Sequence, residues 1–180
     1  KLEQDVFIFP NTFIYGDTTI KRGTQIGPGS MIVDSYISQG CKVVNSTVEG
    51  ALLEEGVDVG PYSHIRPESH IGKDVHIGNF AEVKKSILGH DTQMGHFSYV
   101  GDALVGSNVN IGAGSITCNF DGVNKNQTVI EDGAFIGSDS MLVAPIRIGA
   151  GSSTSAGSVV TRDVPPESQA IGVPARIFPK

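Results

Sequence analysis

An aliphatic residue recurs every six positions along almost the whole chain. From Ile8, steps of six reach Ile14, Ile20, Ile26 and Ile32; from Val59 they reach Ile65, Ile71, Ile77 and Val83. The count slips at Leu88, continues through Met94 and Val100, slips again at Val105 and reaches Ile111. Past one insertion it returns at Ile130, Ile136, Leu142, Ile148, Thr154 and Val160. A glycine often follows, as in Ile77-Gly78 and Ile111-Gly112. A six-residue period fits neither a 3.6-residue helix nor an alternating strand. It suits a short strand plus a tight corner, with three such units closing a triangular coil of about eighteen residues. The spacing therefore predicts an all-β parallel β-helix of about ten coils, stacked roughly 4.8 Å apart around an inner aliphatic column. The glycines are expected to supply positive φ at the corners.

The 180 residues read as one elongated unit, with 1–162 forming the β-helix and 163–180 a C-terminal cap beginning near Pro165-Pro166. Two stretches break the rhythm. Between Ile37 and Leu53 the steps are often five residues, which suggests irregular coils. Residues 118–129 carry a polar insertion with Asp121-Gly122, expected to leave the prism as a loop. Loops on rigid scaffolds are frequent carriers of function. No apolar run long enough for a membrane span is present. The sequence also has no basic start followed by an apolar stretch, as a secretory signal would. Cys41 and Cys118 form no CxxC pair and read as reduced thiols of a cytoplasmic protein. A formal charge of −6 argues against a nucleic-acid surface. The chain lacks a starting Met and opens close to its first repeat, so it reads as part of a longer polypeptide or a trimmed piece.

The period also gives each residue an address, because residues one coil apart share a column. Arg66 and Lys84 each follow an inward residue, three hexads apart, and are expected on one face, one rung apart. Like charges that close repel, so a bound anion between them would explain the pair. On the face of Ile77, Met94, Ile111, Ile136 and Thr154, the position two residues on holds Asn79, His96, Ala113, Ser138 and Ala156. These small or polar residues describe a groove whose corner N–H groups an extended ligand arm could use. His64, His70 and His76 are six apart, so they fall on three faces and cannot converge on a metal within one chain.

The stretch from Pro61 to about Ala156 resembles the acetyltransferase domain of the bacterial bifunctional enzyme that acetylates glucosamine-1-phosphate and then uridylylates the product. The resemblance rests on Ile65-Arg66-Pro67, on Gly78-Asn79-Phe80 through Lys85, and on Gly95-His96-Phe97-Ser98-Tyr99-Val100-Gly101-Asp102. It continues through Asn108 to Gly122 and in Leu142-Val143-Ala144-Pro145. It implies a left-handed β-helix with one protruding loop. His96 would be the catalytic base, while Arg66, Lys84, Tyr99, Asn110 and Lys125 would hold the sugar phosphate. Ala113, Asn119, Phe120, Ser138 and Ala156 would line the acetyl-CoA site. It further implies a cytoplasmic homotrimer with sites between subunits, the Lys125 loop reaching a neighbour. The product would lead towards UDP-N-acetylglucosamine for cell-wall peptidoglycan and lipid A of lipopolysaccharide. No metal is needed for the acetyl step; Mg is expected only for the uridylyltransferase part, which this chain does not contain. Two positions depart from the family's pattern. Phe120 stands where the family usually has Tyr. Near the nucleotide end of coenzyme A the family has a basic residue, where Val173 falls here and Arg176 is the nearest cation.

The implied chemistry is direct acetyl transfer from a thioester to an amine. Imidazole titrates near neutrality and suits removal of the amine proton. A backbone N–H near Ala113 would meet the negative charge growing on the thioester oxygen, and Cys118 reads as a structural thiol. The competing expectations are an acyltransferase for another amino sugar or small amine, a β-helix that only trimerises or regulates a sugar nucleotidyltransferase, and a zinc carbonic anhydrase of this fold.

Overall fold

A computed structural model describes residues 1–179. Lys180, the last residue of the expected cap, lies outside them. The chain winds as a parallel β-helix of two- to four-residue strands, stacked into three sheets of eleven, nine and eight strands. The inward residues of the first face run Ile26, Val43, Val59, Ile77, Met94, Ile111, Ile136 and Thr154. The second face carries Ile32, Val48, Ile65, Val83, Val100 and Leu142, and the third Ile37, Leu53, Ile71, Leu88, Val105, Ile130 and Ile148. All of these are 4 % exposed or less, so the core is the aliphatic column expected from the period.

The slips in the count leave the ladders intact. The five-residue step from Val43 to Val48 turns the chain from the first face to the second around Asn45, with φ of 42°. Those from Ile32 to Ile37, Val48 to Leu53, Val83 to Leu88 and Val100 to Val105 turn it from the second face to the third. Each turn carries one left-handed residue, with φ of 46° at Asp34, 50° at Gly50, 46° at Lys85 and 50° at Asp102. In each, that residue stands two positions after the inward one, a place sooner than Glu68, φ 63°, in the six-residue step from Ile65 to Ile71. The region from Ile37 to Leu53, expected to be irregular, is therefore regular coil with short corners.

The positive φ expected of the glycines after the aliphatic residues is found at Gly27 and Gly60, with φ of 101° and 109°, and needs correcting at the others. Gly72, Gly78, Gly112 and Gly137 do not have positive φ. A Cβ at Gly78 would lie 2.6 Å from the carbonyl carbon of Gly95 on the next coil, and one at Gly112 would lie 2.5 Å from the nitrogen of Ser138. These positions are glycine because stacked backbones approach too closely for any side chain. Positive φ is shared equally among the described residues: fourteen glycines adopt it, and fourteen other residues, mostly Asp and Asn.

The core also extends past residue 162. Val164 is 1 % exposed and bridges to Ile148, and the strand Ser168–Ile171 adds a parallel rung beside Ser153–Thr154 with Ala170 fully buried. Only then does Arg176–Pro179 turn back antiparallel across the end. The four residues from Val160 to Val164 are too few for a hexad, which hid the extra rung. The insertion leaves the coil between the strands Ile116–Cys118 and Thr128–Ile130, at a corner between the second and third faces.

Candidate functional site

The second face brings a charged patch together. Register places Ile65 beside Val83 and Lys84 beside Gly101, so Arg66 and Lys84 occupy adjacent rungs of one outward column. They do not face each other unaccompanied. Arg66 Nη1 lies 2.8 Å from Glu82 Oε1, and Lys84 Nζ lies 3.7 Å from Asp102 Oδ2. The hydrogen bond it donates to the Glu82 carboxylate pushes the guanidinium further above its usual range. Two carboxylates thus relieve the repulsion within the chain, and the argument that a bound anion must explain the cation pair does not hold. Glu82 and Asp102 are the residues the sequence reading missed. The available signal was their register: each stands on the rung after its cation, diagonally across the face.

Tyr99 shares this face, paired with Glu82 on one side and Ile116 on the other. Asn119 folds back on it from the root of the loop. It is 5 % exposed, and its Nδ2 donates to Tyr99 Oη at 3.3 Å and to Asp102 Oδ2. Asp102 also accepts from Thr128 N through its carbonyl, at 3.3 Å, so it touches Lys84 and both ends of the loop.

The loop is an ordered hairpin. Phe120 and Lys125 form an antiparallel bridge, with Lys125 Nζ 4.4 Å from the centre of the Phe120 ring. Inside it, Asp121 Oδ1 accepts from Val123 N and Asn124 N at 2.8 and 2.7 Å, and Oδ2 accepts from Asn126 Nδ2 at 2.9 Å. These bonds, led by Asn124, pull the Asp121 carboxyl down to about 2. A depressed carboxyl stabilises above its unfolded pKa and loses that contribution as pH falls through the folded one. The hairpin is therefore expected to hold until pH drops below the ordinary Asp range towards 2. Amide exchange at Val123 and Asn124 between pH 5 and pH 2 would measure this. Loss of protection already at pH 5 would contradict it.

His96 sits at the corner between the first and second faces, exposed, with no hydrogen-bond partner for its ring among the described residues. Above it along the axis come Ala113, Ser138 and Ala156, as the period placed them. Their carbonyl neighbourhood is occupied, since Asp139 N donates to Ala113 O and Gly157 N to Ser138 O. Their own N–H groups donate to no acceptor among the described residues. Beside this corner, a shallow pocket of about 320 Å³ lies between Phe80, Phe97, Glu82 and Tyr99.

Not every named residue converges within one chain. Asn110 is outward on the first face, on the ladder of Gln93 and Phe135. Lys125 borders a separate pocket of about 400 Å³ at the opposite corner, with Lys85, Asp102 and Gln127. Asn119 and Phe120 lie at the loop, away from the Ala113–Ala156 corner. Val173 and Arg176 are exposed at the far end of the molecule.

His64, His70 and His76 stand on the second, third and first faces. They meet Glu49, Glu54 and Asp58 of the preceding coil at 2.7, 2.6 and 3.0 Å. Among the described residues no group of three His, Cys, Asp or Glu could hold a metal ion. Cys41 is buried, which pushes its thiol up to about 11; Cys118 is half-buried and also raised. No helix of the described residues is long and apolar enough to cross a membrane.

Residues 127–162 match the family described as bacterial transferase hexapeptide (six repeats), and residues 47–123 match the GMPPB C-terminal domain. The structure resembles that of LpxA from Acinetobacter baumannii, with a TM-score of 0.55 at 16% identity over 98% of this chain and 73% of that one. That likeness carries the fold alone. The bifunctional protein GlmU of Thermotoga petrophila is 51% identical over 172 residues, covering 96% of this chain and 39% of the relative. GlmU of Streptococcus equi subsp. zooepidemicus is 51% identical over 177 residues, covering 95% and 38%. The chain thus spans about two fifths of the length of the curated relatives it matches. It belongs to the GlmU family, as a homologue of its C-terminal hexapeptide region.

Proposed function

We propose that this chain is an acetyl-CoA-dependent glucosamine-1-phosphate N-acetyltransferase, acting in the cytoplasm on the route to UDP-N-acetylglucosamine. The observation that carries the reading is the second face: Arg66, Lys84 and Tyr99 form one patch, and the corner beside it presents an unpartnered His96. Arg66 offers a fork of donors to the sugar's phosphate and Lys84 a compact charge. Both must exchange part of their contact with Glu82 and Asp102 for the incoming oxygens. Tyr99 contacts the sugar, and His96 takes the amine proton as the new C–N bond forms.

The open corner fits the extended arm of acetyl-CoA, because small side chains at Ala113, Ser138 and Ala156 leave room and their N–H groups lack acceptors. The N–H of Ala113, one rung from His96, is the donor for the charge that grows on the thioester oxygen. Each such donor contributes about 10²–10³ in rate. The positions of Asn110 and Lys125, on the far sides of two corners from Arg66, favour a homotrimer in which neighbouring subunits complete each site. Asn119 and Phe120 then line a neighbour's acetyl-CoA corner, or serve the loop within their own chain.

The test is thiol release from acetyl-CoA that depends on glucosamine-1-phosphate. Turnover with this acceptor, and none with serine, supports the reading. No turnover with glucosamine-1-phosphate would move the bet to another acceptor amine or to a structural β-helix. Two variants refine it. Arg66→Ala should raise the KM for glucosamine-1-phosphate by about 10–100-fold, as loss of a charge-assisted hydrogen bond does. It should leave the KM for acetyl-CoA unchanged, and an effect confined to acetyl-CoA would show that the patch is misassigned. Excising residues 119–127 with a short glycine link should reduce kcat/KM by at least about 10²-fold, because Asn119, Lys125 and the hold on Tyr99 go together. Melting should change little, since the hairpin lies outside the aliphatic column. Full activity in that variant would make the loop a surface excursion.

A further inference from the structure

The outward column that holds Arg66 and Lys84 continues through Gly101, Cys118 and Val143. Gly101 is the one rung in it without a side chain. Its backbone does not require glycine: φ is not positive, and the strand Ser98–Gly101 pairs regularly with Ala81–Lys84. The position is nevertheless buried, although it stands on the outer surface of the sheet. The cover is Tyr99, two residues earlier on the same side of the strand. A Cβ at Gly101 would lie 2.5 Å from Tyr99 Cζ and 2.8 Å from Cε1, with the hydroxyl closer still. The phenol ring therefore lies along the strand, over the glycine. There its oxygen accepts from Asn119 Nδ2, which also donates to Asp102.

We propose that Gly101 is a positioning residue for acceptor binding: the missing side chain is the cradle in which the Tyr99 ring lies. With the ring down, the hydroxyl is held at the loop root, on the rung next to Lys84. Any side chain at 101 lifts the ring off the strand, breaks the bond to Asn119 and fills the gap between Lys84 and Cys118. The proposal rests on the reading of Tyr99 as a sugar-phosphate contact.

The experiment is a double-mutant cycle of Gly101→Ala and Tyr99→Ala, read by melting and by steady-state kinetics. Gly101→Ala should lower Tm when Tyr99 is present and leave it unchanged in the Tyr99→Ala background. It should raise the KM for glucosamine-1-phosphate about tenfold, the scale of one lost hydrogen bond. The KM for acetyl-CoA should stay the same and kcat should move little. In the Tyr99→Ala background, Gly101→Ala should add nothing to the kinetic defect. Equal Tm losses in both backgrounds would overturn the cradle. Coupled melting with an unchanged acceptor KM would overturn the positioning role. If the wild-type chain does not turn over glucosamine-1-phosphate, the acetyltransferase reading falls and with it the role in acceptor binding, while the melting cycle still decides whether Gly101 seats the ring.

Discussion

Replacing His96 with alanine is expected to lower kcat for acetyl transfer by about 10²–10⁴-fold, the usual contribution of a positioned general base. The acceptor amine of a sugar is largely an ammonium at neutral pH and cannot attack until its proton leaves. Among the described residues His96 alone of the five histidines has no acid partner: His64, His70, His76 and His90 each contact a carboxylate. It is exposed at a corner, and its ring has no hydrogen-bond or ion-pair partner among the described residues, so Tm should stay within about a degree of wild type. Steady-state rates at saturating acetyl-CoA, with melting curves of the same preparations, decide it. Undiminished kcat would remove His96 from the chemistry, and a large fall in Tm would turn the defect into one of folding. Binding of glucosamine-1-phosphate should survive, because Arg66, Lys84 and Tyr99 stay in place.

The second large effect concerns stability. Gly78→Ala places a Cβ against the backbone of Gly95 on the next coil, where neither strand can yield without opening the ladder. Overpacking of this kind costs about 1–3 kcal/mol, and a backbone obstacle puts it at the upper end. For a chain of this size that is a fall in Tm of about 6–12 °C. Gly40→Ala is the control. Gly40 has φ of 68° with nothing within 4 Å of a new Cβ, so only the left-handed conformation is penalised, by about 1–2 kcal/mol. The two variants should melt in that order. Reversal would mean that corner conformation, and not coil spacing, is what the glycines serve. Gly78 also precedes Asn79, one rung from His96, so its replacement should lower activity as well as stability.

Much of this molecule is legible in its hexads, for a geometric reason. Parallel coils with one inward residue per side force residues a coil apart into the same column. The adjacency of Arg66 and Lys84, and the column of Asn79, His96, Ala113, Ser138 and Ala156, follow once the faces are counted. The insertion did not spoil that count, because it leaves and rejoins at one corner. The misreadings lie where the period is silent. Val164 and Ala170 continue the core on a short step that no hexad marks. The close-approach glycines were assigned to φ because sequence alone does not show how near the next backbone lies.

The hexads alone therefore assign nearly every residue its backbone address: which face, which rung, inward or outward. What the side chains do at those addresses is settled by contacts that form in the folded chain. Arg66 turns to Glu82 and Lys84 to Asp102. Asn119 folds back on Tyr99 and Asp102, and the Asp121 hairpin folds on itself. None of these contacts repeats, so no periodicity records them. They depend on side-chain direction and on local hydrogen bonds at corners and loops, where each residue chooses among several neighbours within reach.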